Sequence, residues 1–299
     1  MLKAMHIEEL FPGFSPGTAQ VNGVAIPYVV AGSGIPLLLL HGFPQNKAIW
    51  HRVAPALTRR FRVVIPDLRG YGDASKPVGA PDHSTYSKRE MARDQFELML
   101  SLGHGAFSVV GHDRGARVAH RLAADHPEAV TKLMTLDICP TLAMYEQTDM
   151  AFASAYWHWF FLIQAAPLPE TLIAADPVFF LTRFIGNRSA DRSPFTPEAW
   201  REYERCISDP ACVHAMCEDY RAAATIDLAH DREDRDAGRK LTCPVRVLWG
   251  KYGIIERCFK PLEEWRKSAN NVSGCALDCG HYIPEESPEA LLAEIEDFF

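Results

Sequence analysis

Residues 111–115 read Gly-His-Asp-Arg-Gly and directly follow the apolar run Phe107–Val110. A strand, a Gly-x-nucleophile-x-Gly turn and a helix together form a nucleophile elbow, in which a sharp turn exposes one reactive side chain. The central position here holds Asp113, where many hydrolases keep a serine. The short pattern also arises in ordinary turns, where an aspartate caps a helix. The flanking strand and helix, and a His-Gly-Phe-Pro turn at residues 41–44, favour a catalytic role.

An aspartate at this position indicates which kind of bond is attacked. A serine that displaced a leaving group from a saturated carbon would become an ether, which histidine and water cannot readily cleave. An aspartate becomes an ester whose carbonyl belongs to the enzyme, so an activated water can attack it and regenerate the acid. Asp113 therefore predicts hydrolysis at an alkyl carbon through a covalent alkyl-enzyme ester.

The base and its acidic partner are expected later in the chain. His281, in a Gly-His-Tyr segment after the last strand, is the expected base. An acid should hold its imidazole and stabilise the imidazolium. The loop after Val-Arg-Val-Leu-Trp-Gly is a common place for that acid, but it has Gly253 there. Asp137, after the preceding strand, is therefore the expected acid, with Glu256 as the fallback; the other role open to Asp137 is to cap the next segment.

Arg114 and Arg117 follow the nucleophile within one helical turn. Cations in the first turn of a helix oppose its macrodipole, so a pair there suggests an anionic ligand. A guanidinium can donate two parallel hydrogen bonds to a carboxylate, which favours a substrate with that group. The alternative is that the pair points outward to surface acids such as Asp94 or Asp125. The backbone N–H groups of Phe43 and Arg114 are the expected oxyanion donors.

Strand-like and helix-like segments alternate at both ends of the chain. Apolar runs predict strands, among them Pro36–Leu40 and Val130–Ile138, and an amphipathic helix is expected at the end, with Ser287 as its N-cap. This alternation predicts an α/β protein with a mostly parallel, doubly wound sheet. Between about residues 139 and 231 the chain instead becomes helical and aromatic. We predict a discontinuous α/β-hydrolase core, residues 1–140 and 231–299, with a helical cap inserted at residues 141–230.

The composition excludes several classes of protein. A formal charge of −7 with scattered basic residues gives no basic patch for nucleic acid. No apolar stretch reaches the length of a membrane span, and the N-terminus does not resemble a secretory signal, so we predict a cytoplasmic protein with no membrane partner. The eight cysteines are expected to be buried thiols. No metal or organic cofactor is expected, because the chain itself can supply every catalytic group.

The chain resembles the fluoroacetate dehalogenase branch of the α/β-hydrolases over nearly its whole length. The most specific segments are HGFPQNKAIWH, GHDRGARVAHR, LDICPT, AYWHWFFLIQ, DYRAAATIDL and GHYIPEE. The resemblance implies Asp113 as nucleophile, His281 as base and Asp137 as its acid. It also implies a haloacid substrate whose carboxylate is held by the two arginines, a homodimer, and a halide pocket made by three cap side chains, His158, Trp159 and Tyr220.

The sequence differs from the family pattern in one stretch, and three alternative functions are considered. The family often has a Phe-Gly-Trp-Gly-like stretch in the cap, whereas residues 183–193 read RFIGNRSADRS, with Asn187 where a tryptophan is expected. An epoxide hydrolase also uses an elbow aspartate and a histidine, and a haloalkane dehalogenase shares the displacement chemistry, but neither needs the arginine pair. A catalytically idle receptor of the same fold is the third alternative. The preference among fluoride, chloride and bromide is not predicted.

Overall fold

The computed structural model of the chain describes residues 7–189 and 193–299. At its centre lies one sheet of eight strands in the order β1-β2-β4-β3-β5-β6-β7-β8. The strands are β1 Ser15–Val21, β2 Val24–Ala31, β3 Ile35–Leu40, β4 Phe61–Pro66, β5 Phe107–His112, β6 Val130–Leu136, β7 Val245–Gly250 and β8 Val272–Leu277. The predicted α/β-hydrolase fold with a mostly parallel sheet is confirmed.

The parallel part of the sheet runs from β4 to β8, and its strands pair in register with their neighbours. Its central strands are rich in apolar residues, as expected for strands buried on both faces. Residues 37–40 of β3, four leucines in a row, are fully buried. The strands β1 and β2 pair antiparallel at one edge. Strand β1 was not predicted, because its residues Ser-Pro-Gly-Thr-Ala-Gln-Val contain no apolar run and include proline and glycine, which are depleted in strands.

Sixteen α-helices accompany the sheet in the described part of the chain. Those before the β6–β7 connection are α1 Ile7–Leu10, α2 Ala54–Leu57, α3 Lys88–Ser101 and α4 Arg114–Asp125. Those after it are α13 Ile254–Cys258, α14 Pro261–Ser268, α15 Ile283–Glu286 and α16 Pro288–Phe298. The remaining eight are α5 Thr141–Glu146, α6 Met150–Ala155, α7 Trp157–Leu162, α8 Leu168–Ala175, α9 Pro177–Gly186, α10 Pro197–Ile207, α11 Pro210–Ala224 and α12 Ile226–Asp236.

The helices α5–α12 all lie between β6 and β7, and we call them the cap segment. The chain between those strands contributes no strand among the residues that the structure describes. The division between core and cap at residues 140/141 and 230/231 stays a prediction. Helix α12 continues through the second of these boundaries to Asp236. The expected helix at the C-terminus is confirmed, with Ser287 at its N-cap, although the Ser287 side chain makes no capping hydrogen bond.

Within the described ranges, no helix combines the length and apolar character that crossing a bilayer would require. All eight cysteines are free thiols, and six of them are buried. Cys275 is exposed and Cys258 is half-buried, so the expectation of buried thiols holds for most of them but not for these two.

Candidate active site

Asp113 lies in the sharp turn between β5 and α4. Its backbone has φ 48° and ψ −115°, a conformation rarely adopted by a residue with a side chain. Glycines surround the turn because the backbones approach closely: a Cβ on Gly115 would lie 2.3 Å from the backbone oxygen of His41. A Cβ on Gly42 would lie 2.5 Å from the Cβ of Asp113. The turn therefore holds the carboxylate against the loop that follows β3.

The two oxygens of the Asp113 carboxylate face different groups. Oδ1 accepts a hydrogen bond from the Phe43 backbone N–H at 3.1 Å. Oδ2 lies 3.6 Å from Nε2 of His281. The Arg114 N–H, the other expected oxyanion donor, belongs to the first residue of α4. Because Oδ1 is already held by a donor, Oδ2 is the oxygen available for attack.

His281 and Asp137 form a close pair behind the nucleophile. His281 Nδ1 lies 2.5 Å from Asp137 Oδ2, and Asp137 Oδ1 accepts from the Gly250 N–H at 2.9 Å. These bonds fix the ring so that Nε2 points toward Asp113. Glu256, the fallback acid, is exposed and bonds instead to the indole N–H of Trp249. The geometry therefore favours Asp137 over Glu256 as the partner of the histidine.

Burial and nearby cations set the ionisation of these groups. Burial alone would raise the pKa of Asp113, but His281 and Arg188 outweigh it and hold that pKa well below its usual range. Burial raises the pKa of Asp137 to about 7. Burial and the charge of Arg188 lower the pKa of His281 well below its ordinary value. Above about pH 7 Asp137 is therefore ionised and His281 neutral, so the pair holds one proton and Nε2 is free to accept another.

Arg114 points inward and pairs with an acid that the sequence reasoning missed. Its Nε donates to Asp219 Oδ2 at 2.9 Å and its Nη2 donates to Asp219 Oδ1 at 2.8 Å. Asp219, on α11, also accepts from Lys88 and from the Tyr71 hydroxyl. Burial opposes ionisation of Asp219, but Arg114 and Lys88 lower its pKa overall. The Nε–Nη2 edge of Arg114 is thus occupied by Asp219, and Nη1 is buried without a partner among the described residues.

Arg117 is also buried, and the groups that accept its hydrogen bonds are uncharged. Nη1 donates to the Cys139 backbone oxygen at 3.1 Å and to the Thr141 hydroxyl at 2.9 Å, and Nη2 contacts the Met144 sulfur. Its guanidinium lies 4.7 Å from the ring centre of Trp159. Nε has no hydrogen-bond partner in the part of the chain that the structure describes. Arg117 therefore has no carboxylate as a hydrogen-bond partner among the described residues, and the nucleophile Asp113 is an acid whose charge acts on it.

The two acids considered as alternative partners, of which Asp94 is buried, pair with other arginines. Asp94 accepts from Arg69, and Asp125 accepts from Arg89 and Arg121. Neither acid pairs with Arg114 or Arg117 within the described residues. The outward-facing alternative for the two arginines is therefore wrong.

Two of the three cap side chains implied by the resemblance, His158 and Tyr220, lie beside Phe43, whereas Trp159 contacts Arg117. His158 and Tyr220 have ring centres 6.3 Å and 5.1 Å from that of Phe43, and Trp159 follows His158 on α7. All three are fully buried. Both ring nitrogens of His158, the Trp159 indole N–H and the Tyr220 hydroxyl lack a hydrogen-bond partner among the described residues. Buried polar groups normally have partners, so this cluster is a candidate ligand site.

Asn187 lines the cavity that also reaches Asp137 and His281, and its neighbour Arg188 contacts the catalytic histidine. Asn187 is exposed, whereas the Arg188 guanidinium contacts His281 and Tyr156. Residues 190–192, which belong to the stretch that differs from the family pattern, lie outside the described residues. No sequence signal distinguished Arg188 from the other polar residues of this stretch. Asp219 stood next to Tyr220 in one of the family-like segments, which was the only available hint.

Comparison with known proteins identifies the family of this chain. The model of the α/β hydrolase fold family matches residues 35–288. A fluoroacetate dehalogenase from Burkholderia sp is 46% identical over 290 residues, which is 97% of this chain and 95% of that protein. The chain belongs to the fluoroacetate dehalogenase family of α/β-hydrolases. A solved structure, ALR0039 from Nostoc sp PCC 7120, is 55% identical with a TM-score of 0.95 and covers 96% of this chain and 98% of its own.

The chain is also similar to epoxide hydrolases. The soluble epoxide hydrolase of Corynebacterium sp. strain C12 is 36% identical over 285 residues, 94% of this chain and 96% of that protein. Overall similarity therefore establishes a hydrolase of this fold, and the choice of substrate must be argued from the side chains of the site.

Proposed function

We propose that the protein hydrolyses a haloacetate, fluoroacetate or chloroacetate, to glycolate and a halide ion. In the first step Oδ2 of Asp113 attacks the carbon that carries the halogen, a carbon–oxygen bond forms, and the halide leaves with the electron pair of the carbon–halogen bond. In the second step water attacks the Asp113 carbonyl carbon, glycolate leaves, and one proton is released overall. Asp113 returns to its ionised form.

The observation that carries this proposal is the pair of free arginine nitrogens beside the nucleophile. Arg114 Nη1 and Arg117 Nε are buried and without a partner among the described residues. A buried cationic donor without an acceptor is unfavourable, so these two nitrogens suit an anionic ligand. Each can bond one oxygen of a carboxylate. The carboxylate would thus be held by one N–H from each arginine, and not by the fork of either.

The cap cluster supports a halide as the leaving group. Fluoride is small and strongly hydrated, so its departure in a buried site requires several hydrogen-bond donors that are already oriented. His158, Trp159 and Tyr220 are buried donors; the rings of His158 and Tyr220 lie beside Phe43, whose N–H binds the nucleophile, and Trp159 lies against Arg117. Burial, followed by the charge of Arg188, lowers the pKa of His158 well below its usual value, so its ring is neutral and donates from one nitrogen.

The second step is assigned to His281 and the oxyanion donors. His281 Nε2 takes a proton from water, and the Nδ1 contact with Asp137 stabilises the imidazolium that forms. The tetrahedral oxygen develops on Oδ1, which already receives the Phe43 N–H, and the Arg114 N–H is the proposed second donor. No metal or organic cofactor takes part in this scheme.

An epoxide hydrolase is the second candidate. The similarity to the Corynebacterium enzyme and the free hydroxyl of Tyr220 favour it, since a tyrosine could protonate an epoxide oxygen. An epoxide or a haloalkane is neutral, however, and would leave the free nitrogens of Arg114 and Arg117 without an acceptor. The haloacetate is therefore the better match to the charges of the site.

Halide release by the purified protein tests the proposal. Fluoroacetate and chloroacetate are the test substrates, and styrene oxide and a neutral chloroalkane are the controls. We expect halide from the haloacetates and no turnover of either control. Chloride release alone would keep the mechanism and the arginine assignment, whereas turnover of the neutral compounds alone would refute both.

The proposal also covers the oligomeric state of the protein and its location in the cell. We propose a homodimer, which the exposed apolar side chains of α8 and α9 support; these are Leu168, Leu172, Val178 and Phe179. We also propose a cytoplasmic location. Sedimentation of the purified protein and fractionation of the source cells test these two statements.

A further inference from the structure

Arg188 is a third arginine of the site, and neither the sequence reasoning nor the proposed reaction uses it. It lies two residues after α9, and its guanidinium is 4.8 Å from the ring centre of Tyr156 and 5.0 Å from that of Phe184. Nη2 donates to the Tyr156 hydroxyl at 3.0 Å. Nη1 is buried and has no hydrogen-bond partner within the described residues. This nitrogen therefore suits an anionic acceptor.

The contact between Arg188 and His281 does not supply that acceptor. Arg188 Nη2 lies 3.2 Å from His281 Nδ1, but Nδ1 lies only 2.5 Å from Asp137 Oδ2. If Nδ1 donates its hydrogen to Asp137, it cannot also accept one from Arg188. The guanidinium then opposes the imidazolium that forms when His281 takes a proton from water. An anion bound at Nη1 during that step would offset this repulsion.

Arg188 also shares its aromatic surroundings with the cap cluster. The ring of His158 is centred 5.2 Å from that of Tyr156 and 4.7 Å from that of Phe184, the two rings that flank the guanidinium. The cation and the neutral donor His158 thus approach the same region. The two oxygens of a substrate carboxylate already have one donor each, from Arg114 and Arg117. The leaving halide is the anion that remains for Arg188.

We propose that Arg188 is a charged contact for the leaving halide, added to the neutral donors His158, Trp159 and Tyr220. The inference rests on the proposed function. As the carbon–halogen bond breaks, the halide takes the bonding electron pair and accepts a hydrogen bond from Nη1; no proton is transferred. The halide would then stay beside His281 while the ester is hydrolysed. Fluoride, which has the highest charge density, should gain most from this cation.

Direct halide binding tests the proposal without turnover. Titration calorimetry with sodium fluoride and sodium chloride would give dissociation constants for the wild type and for Arg188→Gln and Arg188→Lys. We expect halide binding at least about tenfold weaker in Arg188→Gln, the usual scale for a lost hydrogen bond to a charge, with partial recovery in Arg188→Lys. Arg257→Gln is the matched control. Arg257 is exposed but lines the same cavity of about 110 Å³ beside Arg188, and its change should alter halide binding by less than about twofold.

Two results would overturn the proposal, and acetate distinguishes them. Halide constants unchanged in Arg188→Gln would mean that Nη1 has no halide contact. Weaker acetate binding with unchanged halide binding would assign Arg188 to the carboxylate instead. Circular dichroism confirms that each variant is folded. Because the measurement needs no reaction, it stands apart from the proposed function: absence of halide release from haloacetates refutes the function, and unchanged halide affinity refutes this inference.

Discussion

Replacing Asp219 with asparagine should both destabilise the protein and weaken substrate binding. Asp219 is fully buried and accepts from the two cations Arg114 and Lys88 and from the Tyr71 hydroxyl. Removing one partner of a buried ion pair costs about 3–5 kcal/mol because the remaining charge is uncompensated. The asparagine oxygen can still accept one hydrogen bond from Arg114. Burial and the charge of Arg114 already lower the pKa of Lys88, so the Lys88 ammonium can lose its proton in the variant. We therefore expect a loss near the lower limit, about 3 kcal/mol.

Urea unfolding of Asp219→Asn against the wild type gives the free energy of unfolding. Asp125→Asn is the control, since Asp125 pairs with Arg89 and Arg121 but is partly exposed, and should cost about 1 kcal/mol or less. With Arg114 no longer held, KM for a haloacetate should rise more than kcat falls. A stability within about 1 kcal/mol of the wild type, with unchanged KM, would refute the view that Asp219 compensates and orients Arg114.

Three further predictions follow from the site. Arg117→Lys should raise KM for haloacetate by about tenfold, because lysine cannot supply the Nε contact; unchanged kinetics would contradict the carboxylate assignment. Asp137→Asn should lower kcat by about 10⁴-fold, as in serine protease triads, whereas Glu256→Gln should stay near the wild type; the reverse order would make Glu256 the acid. The pKa of His281 is lowered from 6.5, and a lower pKa keeps the base neutral in more acidic solution. Because burial raises the pKa of Asp137 to about 7, we expect kcat to fall below that pH through protonation of Asp137 and not of His281. A titration of kcat near pH 6.5 that persists in Asp137→Asn would contradict the burial argument for His281.

The elbow could be predicted from sequence because its parts are local. Asp113 stands between an apolar strand and a helix, and the glycines around it are required by backbone approaches that the pattern itself implies. The pairing of His281 with Asp137 was predictable for a related reason. Both follow parallel strands, whose carboxyl ends meet at one edge of the sheet.

Asp219 and Arg188 could not be assigned in the same way. Each lies in a polar part of the cap segment, where an acid or an arginine normally faces solvent. Their roles depend on which core residue the folded cap brings near, Arg114 in one case and His281 in the other. For the same reason the sequence could not show that the Nε–Nη2 fork of Arg114 faces Asp219. Only the packed structure contains that information.

The most direct test of the account is the mass of the His281→Asn variant after incubation with chloroacetate or fluoroacetate. Without the base, the ester should form and persist, and the intact protein should gain about 58 Da, the carboxymethyl group in place of a hydrogen, at Asp113. Asp113→Asn should gain nothing under the same conditions. An unmodified His281→Asn protein, exposed to a substrate from which the wild type releases halide, would contradict the covalent mechanism.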